Sequence, residues 1–124
     1  MLAQAHAMAV LPAEDLERAR KFYADTLGLR ELNSGIPGHT VFAAGGDTRI
    51  LLYERGRTKA EHTTLEFLVD DLEATVKGLI EKGVTFEHYD FEGLKTNELG
   101  IAQLGERQSA WLVDPEGNIL SIST

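Results

Sequence analysis

The chain has 124 residues, 43% of them hydrophobic, a length and apolar content that suit one domain with its own core. Twelve Lys and Arg stand against 20 Asp and Glu; the formal net charge of −8 repels a phosphate backbone and argues against a nucleic-acid partner. No cysteine is present, which excludes disulfides, thiolate nucleophiles and Cys-ligated zinc.

Residues 1–6 carry neither a basic n-region nor a sustained apolar stretch, so no signal peptide or membrane anchor is expected and a cytoplasmic location is. An apolar run over 5–11 predicts a strand. A helix follows, with Asp15 placed to cap its N-terminus and Gly28 to end it. Three more strands are predicted at about 30–34, 39–43 and 48–54, the last two joined by the turn Ala44-Gly45-Gly46-Asp47. The polar, breaker-containing stretch 55–61 reads as a linker.

The pattern then starts again. Residues 63–69 form a second apolar run, and Asp71 and Gly83 bracket a helix whose Leu72, Val76, Leu79 and Ile80 recur at helical spacing. Strands are predicted at about 84–91, 107–113 and 119–124, with a long loop to about 106 and a turn at Asp114-Pro115-Glu116-Gly117-Asn118. Each half is β-α-β-β-β, so the chain is predicted to be one α+β domain of two modules, about 1–57 and 58–124.

Three segments carry a resemblance: LPAEDLERARKFY from Leu11 to Tyr23 running on to Leu27-Gly28-Leu29, then Val69-Asp70-Asp71-Leu72, then the Asp114 to Asn118 turn. They resemble the signature segments of the vicinal oxygen chelate superfamily, which includes glyoxalases, bleomycin resistance proteins and extradiol dioxygenases, over nearly the whole chain. The resemblance implies that the modules pair into a curved, barrel-like mixed sheet around a cavity, with helices outside, and that the protein is a homodimer. Function must still be argued from the site. Metal-dependent members place a His seven residues before each helix-capping Asp and a Glu four residues after the Gly of the last turn. Here those positions hold Met8, Thr64 and Ser121, and the remaining counterpart falls near Leu51. Such groups do not replace imidazole and carboxylate on a divalent cation, so the expectation is no metal and no other cofactor. A displaced site using His6 and His62 with Glu66 or Glu54 stays open.

Strand alternation puts His6 and Val10 on the face of Met8, and His62 and Glu66 on that of Thr64. Glu66 and His62 are the candidate acid–base residues; apolar surroundings would raise the Glu66 carboxyl toward neutrality, whereas a solvated or paired carboxylate would only anchor a ligand. His6, Met8, Thr64, His88, Tyr89, Lys95, Trp111 and Ser121 are the candidate ligand-binding residues. Alternation would set Phe86 and His88 opposite Glu87 and Tyr89, and Lys95 suits an anionic group. Trp111 offers either an aromatic stacking surface or core, as do Phe42 and Tyr53, and His39 suits an entrance. No G-x-S-x-G, P-loop or G-x-G-x-x-G pattern is present. The expected function is binding of a small organic molecule, aromatic or conjugated, in a sequestering role. The alternative is a lyase or isomerase using Glu66 or a histidine, metal-independent or with a displaced metal.

Overall fold

Strand β1 (Ala9–Ala13) begins the first of two units, Met1–Thr58, in a computed structural model that describes residues 1–124. Helix α1 (Leu16–Lys21) follows and runs on as a π-helical stretch, Phe22–Thr26, before β2 (Arg30–Leu32), β3 (His39–Ala43) and β4 (Arg49–Glu54). The sheet order is β1-β4-β3-β2, with β1 parallel to β4 and the other pairs antiparallel. The Asp15 carboxylate accepts the Arg18 amide at 3.0 Å, which starts the helix. Alternation sorts the strands: Leu11, Phe42, Ile50 and Leu52 are buried on the face where Tyr23 meets Phe42 at 5.9 Å, while Val41, Leu51 and Tyr53 on the other face are half-buried. Arg20 ties the helix to β2, donating to both Glu31 oxygens at 2.6 and 2.9 Å.

The second unit, Lys59–Thr124, holds β5 (Thr63–Leu68), α2 (Leu72–Glu81), a hairpin of β6 (Asp90–Phe91) and β7 (Leu94–Lys95), then β8 (Ile101–Leu104), β9 (Arg107–Val113) and β10 (Ile119–Ser123). Its sheet has the order β5-β10-β9-β8, β5 lying parallel to β10. Asp71 caps α2 through the Ala74 amide at 3.1 Å. Leu72 and Val76 are buried on the helix, and Ala110, Leu112, Leu120 and Ile122 on one face of the sheet, an apolar layer of the kind that supplies most folding free energy. In the last turn the Asp114 carboxylate, itself buried, accepts from the Glu116 and Asn118 amides at 2.9 and 2.8 Å and from Asn118 Nδ2 at 2.8 Å. No helix of the chain is long and apolar enough to cross a membrane.

The α+β class and the β-α-β-β-β order of the first unit are as the sequence predicts; in the second unit β7 and β8 occupy the stretch read as a loop to about 106, and two further corrections apply. Strand β1 begins at Ala9, because only from there does it pair with β4, so His6 and Met8 precede it. The strand expected over 84–91 is not continuous. The edge of β9 is shared: Phe86 bridges to Leu112 and the Glu87 amide donates to the Trp111 carbonyl at 2.8 Å, while β8 pairs with residues 107–110. The pieces meet where Gly100, at φ +84°, passes Phe86 so closely that a Cβ would lie 2.9 Å from its Cβ and 3.1 Å from the Glu87 carbonyl oxygen. Backbone oxygen cannot yield as a flexible side chain does, and the left-handed conformation adds strain to any L residue. Gly100→Ala is therefore expected to destabilise the protein by about 1–3 kcal/mol in urea unfolding; an unchanged midpoint would show that this approach is not needed.

Candidate functional site

The face of the second sheet opposite its apolar layer carries a carboxylate and hydroxyls beside Trp111 and Leu68. Register places Ser121 beside Glu66 on one side and Trp111 on the other, and Ser123 beside Ser109, so these side chains project from the same face. Glu66 Oε1 accepts from Ser123 Oγ at 2.6 Å and Ser121 Oγ at 3.1 Å, and Oε2 accepts from Arg107 at 3.3 Å. Ser123 Oγ is also 2.6 Å from Ser109 Oγ, so the network crosses β5, β10 and β9. All three serines are buried, whereas the Glu66 side chain keeps 40% of its exposure. Beside it lies an open cleft of about 460 Å³ lined by Glu66, Leu68, Val69, Asp70, Arg107 and Thr124. That volume is in the range of small-molecule sites.

The environment lowers the Glu66 carboxyl below its ordinary range, chiefly through the Ser123 hydrogen bond, with help from Ser121 and Arg107 and against a smaller opposing effect of burial. Of the two alternatives the sequence leaves open, this is the paired carboxylate, not the carboxyl raised by apolar surroundings. The flanking residues are hydrogen-bond donors, not apolar groups, and donors favour the ionised form. The carboxylate is a fixed acceptor at neutral pH.

Trp111 is half-buried and meets Tyr89 edge-on at 5.7 Å; burial, and then the charge of Glu87, push the Tyr89 phenol up, so it stays protonated. Thr64 lies at a register shift between β5 and β10 and donates its hydroxyl to the Ile119 carbonyl at 3.1 Å. The shift breaks the alternation, and His62 lies before β5 in an exposed position, so its expected place on the face of Glu66 does not follow. His88 is exposed, and Lys95 stands opposite Asp90 in the hairpin. In the other unit His6 and Met8 line a groove with Asp47 and Arg49, at the turn between β3 and β4. A further cleft there, about 320 Å³, includes Arg20, Glu31 and Thr40, but these polar groups already satisfy one another.

The structure thus brings together Glu66, Ser121 and Trp111, and Tyr89 with Trp111. Sequence reasoning missed Ser109, Ser123 and Arg107. The available signal was the Ser-x-Ser spacing at 121 and 123, which puts two hydroxyls on one face of a strand.

The metal-ligand positions implied by the resemblance do not fit a cation. The Ser121 and Thr64 hydroxyls are engaged as donors, to a carboxylate and a carbonyl, and Met8 and Leu51 offer a thioether and an alkyl group. Nowhere in the chain do three His, Asp or Glu side chains gather as a metal site requires.

A family model described as the Glyoxalase/Bleomycin resistance protein/Dioxygenase superfamily matches residues 4–121. Among solved structures, the fosfomycin resistance protein FosX from Mesorhizobium loti is 14% identical with a TM-score of 0.68, over 98% of this chain and 92% of that one. A lactoylglutathione lyase from Agrobacterium tumefaciens is 21% identical with a TM-score of 0.68, over 98% and 94%. TnmS3, an antibiotic binding protein from Streptomyces sp. CB03234, is 23% identical with a TM-score of 0.66, over 96% and 95%. At these identities the likeness is one of fold. No curated protein matches the chain.

Because the folded-state pKa of Glu66 lies below its unfolded value of about 4.3, its contribution to stability is complete above that value and is lost as pH falls through the folded pKa. Urea midpoints of wild type and Glu66→Gln should differ at pH 7 in favour of the wild type, and the difference should shrink as pH falls below about 4.3 toward and through the folded value. A difference that does not shrink on acidification would assign it to packing, not to the charge.

Proposed function

We propose that this chain, which belongs to the Glyoxalase/Bleomycin resistance protein/Dioxygenase superfamily, binds a small organic molecule, aromatic or conjugated, on the Glu66 face of its second sheet, and does so without a resident metal. The observation that carries this reading is the Glu66 carboxylate, held in place by Ser121 and Ser123 and set one strand beyond Ser121 from the Trp111 ring. A pre-positioned acceptor on the same sheet face as an aromatic ring two strands away orients a ligand long enough to meet both, and neither group has to be ordered on binding. A sequestering role, toward a drug or a metabolite, is supported by two structural relatives named for fosfomycin resistance and antibiotic binding. A homodimer, as in the resemblance, is part of the proposal.

The same carboxylate is poorly suited to act as a general acid, because groups that keep it ionised at neutral pH deny it a proton to give. Its use as an acceptor needs no such proton. That is why binding is preferred here to an acid–base reaction at Glu66.

Titration of the purified protein with a panel of aromatic metabolites and antibiotics, followed by calorimetry and Trp111 fluorescence, is expected to give saturable binding that EDTA leaves unchanged. Glu66→Gln should weaken it about tenfold, the loss of one charge-assisted hydrogen bond. Binding that requires a divalent ion, or turnover that disappears in Glu66→Gln, would replace this reading with an enzymatic one.

A further inference from the structure

A carboxylate oxygen offers about two lone-pair directions, and the two oxygens of Glu66 use them unequally. Oε1 fills both, accepting from Ser123 Oγ at 2.6 Å and from Ser121 Oγ at 3.1 Å. Oε2 accepts only from Arg107, at 3.3 Å, longer than the roughly 2.7–2.9 Å of a well-formed hydrogen bond between ions. The guanidinium is held back by its other bond, from Nε to the Thr124 carbonyl oxygen at 3.0 Å. Thr124 is fixed in turn, its amide donating to the Gln108 carbonyl at 3.1 Å. Glu66 therefore brings one open acceptor direction to the 460 Å³ cleft that it lines.

The charge around that acceptor is unbalanced. The serine hydroxyls orient the carboxylate but carry no charge, and Arg107 is the one cation of the cleft lining, set against Glu66 and Asp70. Two carboxylates and one guanidinium leave a formal charge of −1 there, and the whole chain carries −8, so the wider field has the same sign. An anion drawn to Arg107 meets both carboxylates. A cation meets one like charge, already engaged with Glu66 and Thr124. Apolar surface lies alongside: Leu68, two residues along β5 from Glu66 and on the same face, is 70% exposed, and Val69 follows it half-buried.

We propose that this cleft selects organic cations, in which a primary ammonium group donates to the open direction of Glu66 Oε2 and an aromatic or aliphatic body covers Leu68 and Val69. The inference rests on the ligand-binding reading given above and adds the charge of the ligand to it. A neutral hydroxyl fills the lone pair alone, whereas an ammonium fills it and also supplies the charge the cleft lacks. Glu66 and Arg107 then act with opposite sign on affinity, the first attracting the ligand and the second repelling it.

The test measures 2-naphthylmethylamine, 2-naphthylmethanol and 2-naphthoate, which share one aromatic body and differ in charge, by calorimetry at pH 7 and low salt. Wild type should bind the amine about tenfold or more tighter than the alcohol, and the carboxylate more weakly than either. Glu66→Gln should lose about tenfold for the amine and about threefold or less for the alcohol. Arg107→Gln should tighten the amine about threefold, and Leu68→Thr should weaken amine and alcohol alike. Circular dichroism and urea midpoints control for folding, and the comparison within wild type stands without any variant. An alcohol or carboxylate bound as tightly as the amine, or weaker amine binding in folded Arg107→Gln, overturns the cation selectivity and leaves the ligand-binding reading standing. Failure of all three probes to bind the wild type also overturns it, and the underlying reading is then decided by the wider panel.

Discussion

The second unit is organised by a competition for the lone pairs and protons of one side-chain network. Ser121 and Ser123 lie on β10 where their hydroxyls can either donate to a carboxylate or turn their oxygens toward a cation. With Glu66 opposite Ser121 they donate, and the carboxylate is held ionised. Ser109 joins through Ser123, so three buried hydroxyls on two strands are satisfied together with the carboxylate of a third. Buried polar groups are tolerated only when paired, and here the pairing also fixes where the acceptor points. The poor fit of Ser121 to a metal and the lowered Glu66 pKa both follow from that arrangement.

The two units share an order of elements but fill their sheet edges differently. In the first, β2 is a single strand beside β3, tied to the helix by Arg20 and Glu31. In the second, the place beside β9 is divided between the Phe86–Glu87 segment and β8, with the β6–β7 excursion inserted between them. An insertion there costs little closure entropy because its ends are already adjacent, and it leaves the buried layer of Leu112, Leu120 and Ile122 undisturbed. The excursion is thereby added at an edge while the core stays that of the repeat.

Much was legible in the sequence because it depends on local chemistry. Asp15 and Asp71 accept the amides their positions call for, and Gly28 and Gly83 take positive φ where the helices end. The alternation in β3, β4, β9 and β10 and the Asp114 turn follow likewise from short-range sterics and hydrogen bonding, which residue type and spacing encode. Candidate residues Glu66, Trp111 and Ser121 were identifiable as strand residues; that they share a face is set by strand register.

Tertiary structure decided what these residues do. The donors around Glu66 come from positions more than 40 residues away in the chain, so the direction of its pKa shift was not readable from its neighbours. The bulge near Thr64 and the start of β1 at Ala9 are set by strand pairing, and they remove His62 and His6 from the faces that strict alternation assigned them. Phe86 to Phe91 has the composition of a strand, yet β8 takes most of the edge, because one strand edge offers a fixed number of hydrogen-bonding partners and two segments compete for them.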